Sequence, residues 1–70
     1  MKTMDYRLVD VLNSDQLEPD DLIGLEGEIV KVISVASLKN GYALTYENDF
    51  NEKDIIEIAD EQQFDLYILD

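Results

Sequence analysis

The chain has 70 residues, of which 17 are Asp or Glu and 5 are Lys or Arg, so its formal net charge is -12 at pH 7. This charge argues against direct binding to nucleic acid or to an anionic membrane surface, because both are polyanions. The absence of His and Cys excludes disulfides, thiolate metal sites and a histidine-dependent catalytic triad.

Two short strands are predicted before the middle of the chain. Residues 6–12 are rich in aliphatic and β-branched side chains and are interpreted as a strand, although their apolar positions would also suit one helical face. Residues 13–15 offer turn or N-cap chemistry, and residues 16–18 could form one helical turn before Pro19. Residues 22–25 follow as a brief strand, with Gly24 and Gly27 expected at bulge or bend positions.

The most strongly patterned stretch is a hairpin over residues 28–47, with Asn40-Gly41 at its turn. This dipeptide favours a type I′ turn, because Asn and Gly tolerate positive φ best. Apolar residues occupy odd and even positions alike in residues 29–35, which predicts a central strand covered on both faces. Residues 42–46 alternate instead, as expected for a half-buried strand.

The remainder of the chain is predicted to add a polar connection and two more strands. Residues 47–54 are the connection, residues 55–58 a strand, residues 60–63 one turn of 3₁₀ or α-helix, and residues 64–69 the last strand. Five or six short strands separated by turn signals indicate a mainly β fold. The arrangement resembles a small antiparallel SH3-like barrel or sandwich with one or two short helical turns.

The composition predicts a single folded domain over residues 1–70. Hydrophobic residues are 46% of the chain, too many for a disordered acidic tail. The chain has no long apolar run and no apolar segment after its N-terminus, which favours a cytoplasmic protein. A core of this size without disulfides contributes little stability, so a homodimer that buries further apolar surface is a possible form of the protein.

Catalysis and metal binding are not expected. The only candidate nucleophiles are hydroxyls and lysines without a histidine base, and a small barrel has little room for a glycosidase cleft between two carboxylates. Residues 49–54 begin like a calcium-binding loop, but Lys53 stands at its fifth position, Asp54 replaces the glycine at the sixth, and Asp60 stands at the twelfth. We therefore predict no enzyme activity, no metal site and no cofactor.

The acidic residues fall into two clusters that flank the acid-free stretch 29–46. These are the candidate partner-binding residues, and a basic protein is the expected partner. The first cluster is Asp15, Glu18, Asp20, Asp21, Glu26 and Glu28, and the second is Glu47, Asp49, Glu52, Asp54, Glu57, Asp60, Glu61 and Asp65.

Carboxylates on a rigid β scaffold can substitute for the phosphates of DNA. Alternate strand residues repeat at about 6.7 Å, and DNA presents one charge per about 1.7 Å of helix axis. In size, acidity and lack of Cys the chain resembles the small acidic DNA-mimic proteins of bacteriophages, which inhibit the nucleoid protein HU, uracil-DNA glycosylase, and restriction or CRISPR nucleases. The resemblance implies an inhibitor of a bacterial DNA-binding protein, with HU as the favoured target.

An interaction adaptor is the alternative function. In that interpretation an SH3-like or phage accessory protein binds through an apolar groove near Tyr42, Tyr46 and Phe50. Its acidity would then serve only solubility, or adaptation to high salt.

Overall fold

Six antiparallel strands form one open sheet in the computed structural model of the chain, which describes residues 5–69. Helix is limited, among those residues, to a single 3₁₀ turn, and no helix there is long and apolar enough to cross a membrane. The elements are β1 (Tyr6–Asn13), the 3₁₀ turn (Ser14–Gln16), β2 (Leu22–Leu25), β3 (Glu28–Leu38), β4 (Gly41–Glu47), β5 (Lys53–Ala59) and β6 (Gln63–Leu69).

The strand order is β1-β6-β2-β3-β4-β5. Strands β2 to β5 form a meander of consecutive antiparallel neighbours, and β6 returns to lie between β1 and β2. The mainly β class and the strand count are thus confirmed. A closed SH3-like barrel is not confirmed, because β1 and β5 are free edges and the sheet does not close.

The core lies on one face of the sheet. Its buried side chains come from every strand except β1, together with Leu17 from the loop after the 3₁₀ turn. On β3 the buried residues are Val30 and Val32, whereas Ile29 and Ile33 are half-buried, so the prediction that both faces are covered is wrong. The buried apolar residues are Leu17, Ile23, Val30, Val32, Leu44, Ile58 and Phe64.

The type I′ turn lies at Glu26-Gly27, not at Asn40-Gly41. Leu25 is paired with Glu28, and the two residues between them have φ of 52° and 82°, as that turn requires. In the β3–β4 hairpin Leu38 is paired with Gly41, so the turn residues are 39 and 40, and neither has positive φ. Glycine is needed at position 41 because a β-carbon there would clash with the backbone carbonyl of Ile58 on β5.

Two other local predictions differ from the structure. The helical turn begins at Ser14 rather than at residue 16, because the N–H of Asn13 donates to Oε1 of Gln16 at 2.8 Å and closes the turn early. Residues 60–63 contain no helix: Asp60 and Glu61 form a simple turn in which Glu61 has φ of 65°, and β6 begins at Gln63. No right-handed helix contains such a φ. Strand β5 also starts earlier than expected, at Lys53 opposite Glu47.

Irregularities in the ladders occur on β1 and β3. The register shifts around Val9 and around Ile33, whereas the β2–β3 ladder runs without a bulge through Gly24. Glycine at position 24 instead makes room for an aromatic ring, since a β-carbon there would be 3.4 Å from Cε2 of Tyr67.

Both free edges of the sheet carry an Asp that accepts from the backbone. On β1, Oδ1 of Asp10 accepts the N–H of Val11 at 2.8 Å, and on β5, Oδ1 of Asp54 accepts the N–H of Ile55 at 2.8 Å. An edge strand normally presents free donors that can pair with another chain. Each of these two edges therefore has one donor already occupied and a negative charge beside it.

Candidate protein interface

All fourteen acidic residues predicted to bind a partner lie at the surface. Twelve have exposed side chains, and only Asp21 and Glu47 are half-buried. The fold changes how they are grouped, because segments distant in sequence become neighbours in space. Five of the fourteen, namely Glu26, Glu28, Asp54, Glu57 and Asp65, line two clefts beside the β2–β3 turn or act electrostatically on Tyr46, and Asp15, Asp60 and Glu61 lie on adjoining segments.

Tyr46 lies among acids from both sequence clusters. Partial burial of its phenol raises its pKa above 10.0, and the negative charges of Asp54, Glu26 and Glu28 raise it further. Tyr46 is directly opposite Asp54 across the β4–β5 ladder, while Glu26 and Glu28 come from the β2–β3 turn. Charges from the first and second clusters therefore act on the same phenol.

A cleft of about 440 Å³ opens where β2 and β6 separate. The two strands are paired only through Leu22–Tyr67 and Ile23–Leu66 and then diverge toward the β2–β3 turn. Glu26, Glu28 and Asp65 contribute to its lining. The separation of the strands thus creates a concave site with three carboxylates.

A second cleft of about 530 Å³ extends from the same turn to β5. Its lining includes apolar residues such as Ile56 and Phe64, together with Glu26 of the turn and the strand residue Glu57. Among the described residues that line these two clefts, none is Lys or Arg. The turn at Glu26 is therefore at the centre of the acidic region.

Buried Ser14 connects a further acidic segment to this region. Its hydroxyl donates to the carbonyls of Ala59 at 2.6 Å and Gln62 at 3.1 Å, and its N–H donates to the Gln62 carbonyl at 2.8 Å. These bonds hold the 3₁₀ turn against the β5–β6 turn. Asp15 therefore lies on a segment adjacent to Asp60 and Glu61.

We name this set of acids the acidic rim. All of its members have exposed side chains, so their charges are available to a partner. The acidic rim consists of Asp15, Glu26, Glu28, Asp54, Glu57, Asp60, Glu61 and Asp65.

The other six predicted residues lie outside the acidic rim. Glu18, Asp20 and Asp21 belong to the loop before β2, which binds the edge of β3. The N–H of Asp20 donates to the Val32 carbonyl, and the N–H of Val32 donates to the Asp21 carbonyl, each at 2.8 Å. Glu47 faces Lys31 across β3 and β4, with Oε1 3.8 Å from Nζ.

Asp49 and Glu52 stand in the turn before β5, which is the calcium-like segment. There Oδ1 of Asn48 accepts the N–H of Phe50 at 2.8 Å and of Glu52 at 3.1 Å, an arrangement typical of an Asx turn. Within residues 5–69 the structure contains no group of three or more His, Cys, Asp or Glu side chains that could hold a metal ion.

Backbone conformation distinguishes several of the acidic turns. Within residues 5–69, four residues other than glycine have positive φ, namely Asp20 at 76°, Glu26 at 52°, Asn51 at 61° and Glu61 at 65°. Asn tolerates this left-handed region, whereas Glu does not. The conformation costs a Glu residue roughly 1 kcal/mol relative to glycine. Glu26 and Glu61 of the acidic rim thus hold carboxylates where glycine would be more stable.

The sequence predicts Tyr46 only as a core or groove aromatic and does not reveal that acids of both clusters act on its phenol. Tyr42 and Tyr46 do pack against the core, while Phe50 is 78% exposed in the turn before β5. The signal available in the sequence was the alternation that puts Tyr46 on the core face. Its proximity to Glu26 depends on strand pairing that the sequence does not specify.

Comparison with known proteins adds no family assignment. No protein-family model matches the chain, and searches of curated proteins and of solved structures found no match.

Proposed function

We propose that this protein is a DNA mimic that binds the DNA-binding surface of a basic protein and blocks its access to DNA. The observation that carries the proposal is the acidic rim, in which both sequence clusters contribute exposed carboxylates to one opening of the sheet. HU-type nucleoid proteins are the first target to test, because they grip DNA with little sequence preference and so select for charge rather than for base identity.

Recognition would use charge-assisted hydrogen bonds from Lys and Arg of the target to the carboxylates. The two clefts offer concave positions where a long cationic side chain can reach two or three carboxylates at once, as an Arg does with adjacent phosphates. Dense surface charge also steers a basic partner toward the acidic rim, which accelerates association at low salt.

The backbone strain at Glu26 and Glu61 supports a functional role for these charges. Residues in sparsely populated conformations concentrate at binding and catalytic sites, where function outweighs the stability that is lost. A solubility role alone would not require Glu at positions where glycine is favoured, since any exposed strand position could carry the charge.

We further infer an SH3-like course for the curled sheet and a cytoplasmic location. Residues of β2, β5 and β6 line one cleft, so β5 approaches the β2–β6 opening although the two ends of the sheet are not hydrogen-bonded. A chain without Cys suits a reducing compartment, and a nucleoid target would be found there.

The test is displacement of a fluorescent DNA duplex from purified HU, with two variants that remove equal charge. The triple variant Glu26→Gln, Glu28→Gln, Asp54→Asn neutralises the centre of the acidic rim. The control Glu18→Gln, Asp49→Asn, Glu52→Gln removes three exposed charges elsewhere. We expect the first to weaken inhibition by about tenfold or more and the control by much less.

Salt dependence completes the test. Inhibition by the unaltered protein should weaken steeply as salt is raised, because screening reduces attraction between exposed charges. Equal losses in the two triple variants would show that only total charge matters and would remove the acidic rim from the mechanism. Unimpaired HU binding to DNA at high inhibitor concentration would exclude HU as the target.

A further inference from the structure

A patch of apolar side chains covers the outer face of the sheet at its β1 end, opposite the core. In antiparallel pairs, residues directly across from one another share a face. Tyr6 is paired with Leu69, Leu8 with Tyr67, and Tyr67 with Leu22. We name as the outer patch the residues Tyr6, Leu8, Val11, Leu22, Tyr67 and Leu69.

One cross-strand row shows that this face is divided into two halves. From β1 to β5 the directly opposed residues are Leu8, Tyr67, Leu22, Lys31, Glu47 and Lys53. The first three are apolar, and the last three alternate in charge. The outer patch is therefore separated from the charged half of its own face by the boundary between β2 and β3.

Half of the outer patch is exposed in the described part of the chain, and Tyr6, Leu22 and Tyr67 are half-buried. Leu8 is 53% exposed and Leu69 is 46% exposed, and Val11 is similarly exposed. Isolated exposed leucines are ordinary, but contiguous apolar patches on small soluble proteins mark binding surfaces. Several such residues in adjacent positions on two strands therefore require an occupant.

The total surface is larger than that of a compact monomer. A compact monomer of 8.0 kDa exposes about 4,450 Å², whereas this chain exposes 5150 Å². Its radius of gyration is 12.1 Å, compared with about 11 Å for a compact domain of this length. The excess of about 700 Å² is close to the roughly 800 Å² that each partner buries in a standard protein interface.

The distribution of charge determines where a second copy of the same chain can approach. Two molecules with a net charge of -12 repel each other, and they can approach with least desolvation of carboxylates where those groups are sparse. Asp65, opposite Val11, is the acid nearest to the outer patch on this face. A second copy brings an apolar surface of the same size, as an isologous interface requires.

We propose that the outer patch is the interface of a two-fold symmetric homodimer in which the outer faces of two sheets pack together. Packing through faces rather than by pairing of β1 edges follows from Asp10, whose carboxylate occupies the N–H of Val11. In this arrangement the second cleft, lined by the core residues Ile58 and Phe64, stays clear of the interface, whereas the first cleft borders it, since Tyr67 and Asp65 also line that cleft. The dimer would present two acidic surfaces related by a two-fold axis.

The test is sedimentation equilibrium of the full chain over a range of concentrations, with two neutral double variants. Leu8→Gln with Leu69→Gln removes two exposed leucines of the outer patch. Phe50→Gln with Ile55→Gln removes two equally large exposed apolar residues at the other end of the sheet. Neither pair changes the net charge, and circular dichroism melts confirm that each variant is folded.

We expect the unaltered protein to be a dimer. Its dissociation constant should rise at least about a hundredfold in the Leu8, Leu69 variant, since each buried leucine contributes about tenfold. In the Phe50, Ile55 variant the dissociation constant should stay within about threefold of the original value. Added salt should strengthen the dimer by screening the repulsion between the copies. A monomer at all concentrations, or a dimer insensitive to the Leu8 and Leu69 changes, would overturn the proposal. Failure of the dimer and failure of target binding are distinguishable, because added salt strengthens the dimer and weakens target binding.

Discussion

The acidic rim and the outer patch differ in how the chain builds them. Carboxylates of the acidic rim stand mainly at turns and strand ends, and two of them are held on left-handed backbone. The outer patch is built from regular strand positions at the β1 end of the sheet. Turns present charge in several directions around a concave opening, whereas paired strands present a flat apolar surface.

This contrast implies two kinds of contact with opposite responses to salt. Screening weakens attraction between the acidic rim and a cationic partner, and it relieves repulsion between two copies that meet through the outer patch. A protein of this size can thus separate a surface for its target from a surface for itself.

The largest expected effect comes from removing the core that supports both surfaces. Leu44 is fully buried, and Leu44→Ala should lower the free energy of unfolding by about 2–5 kcal/mol because it leaves a cavity. Urea denaturation followed by circular dichroism measures this loss. Ile55→Ala, at a position 65% exposed, is the control and should change stability by less than about 0.5 kcal/mol.

A smaller loss is expected when the link between the 3₁₀ turn and the β5–β6 turn is cut. Ser14→Ala removes the hydroxyl that donates to the carbonyls of Ala59 and Gln62 and should destabilise the fold by about 1–3 kcal/mol. Target binding should fall as well, because Asp15 is no longer fixed beside Asp60. Ser37→Ala, at an exposed position, should alter neither, and equal effects of the two changes would contradict the proposed link.

Glu26→Gly should separate stability from binding. Relief of the left-handed conformation should stabilise the fold by about 1 kcal/mol, which raises the Tm by about 4–8 °C, while loss of the carboxylate weakens inhibition of the target. Thermal melts and DNA displacement measure the two effects. Asn51→Gly is the matched control with a smaller gain in Tm and unchanged inhibition, and stronger inhibition by Glu26→Gly would exclude this carboxylate from the interface.

The smallest expected effect concerns alkaline pH and Tyr46. Because its pKa is raised above 10.0 in the folded state, the unfolded chain ionises first, and the stability present below pH 10 is lost as pH rises through the folded pKa. Urea midpoints at about pH 9 and pH 11 should therefore fall less in Tyr46→Phe than in the unaltered protein. Tyr42→Phe controls for loss of a phenol, and an identical fall in Tyr46→Phe would show that the fold does not raise the pKa of this group.

Much of the secondary structure could be predicted from local pattern. Alternation and β-branched residues located all six strands to within a few residues, because these signals act between neighbours in the chain. The type I′ turn was assigned to Asn40-Gly41, but it forms at Glu26-Gly27, where pairing of Leu25 with Glu28 leaves two residues for the turn. Turn composition alone does not reveal that a β-carbon at position 41 would clash with the backbone of β5.

The candidate site was less accessible to sequence reasoning. Its acidic residues were identified by composition, but their division into two clusters reflects chain order, and the acidic rim forms only because β6 lies beside β2 and the 3₁₀ turn binds the β5–β6 turn. The outer patch was missed for the same reason. Leu8, Tyr67 and Leu22 are far apart in sequence, and only the strand register places them in one row.

Asp10 and Asp54, which accept backbone N–H groups at the two edges of the sheet, also affect the tendency of this protein to aggregate. Growth of a cross-β fibril needs a strand edge with free donors as a template. On β1 and β5 the donors of Val11 and Ile55 are occupied from within the chain, and the carboxylates repel an incoming strand. Asp10 and Asp54 therefore oppose edge-to-edge pairing in a chain of which nearly half of the residues are apolar.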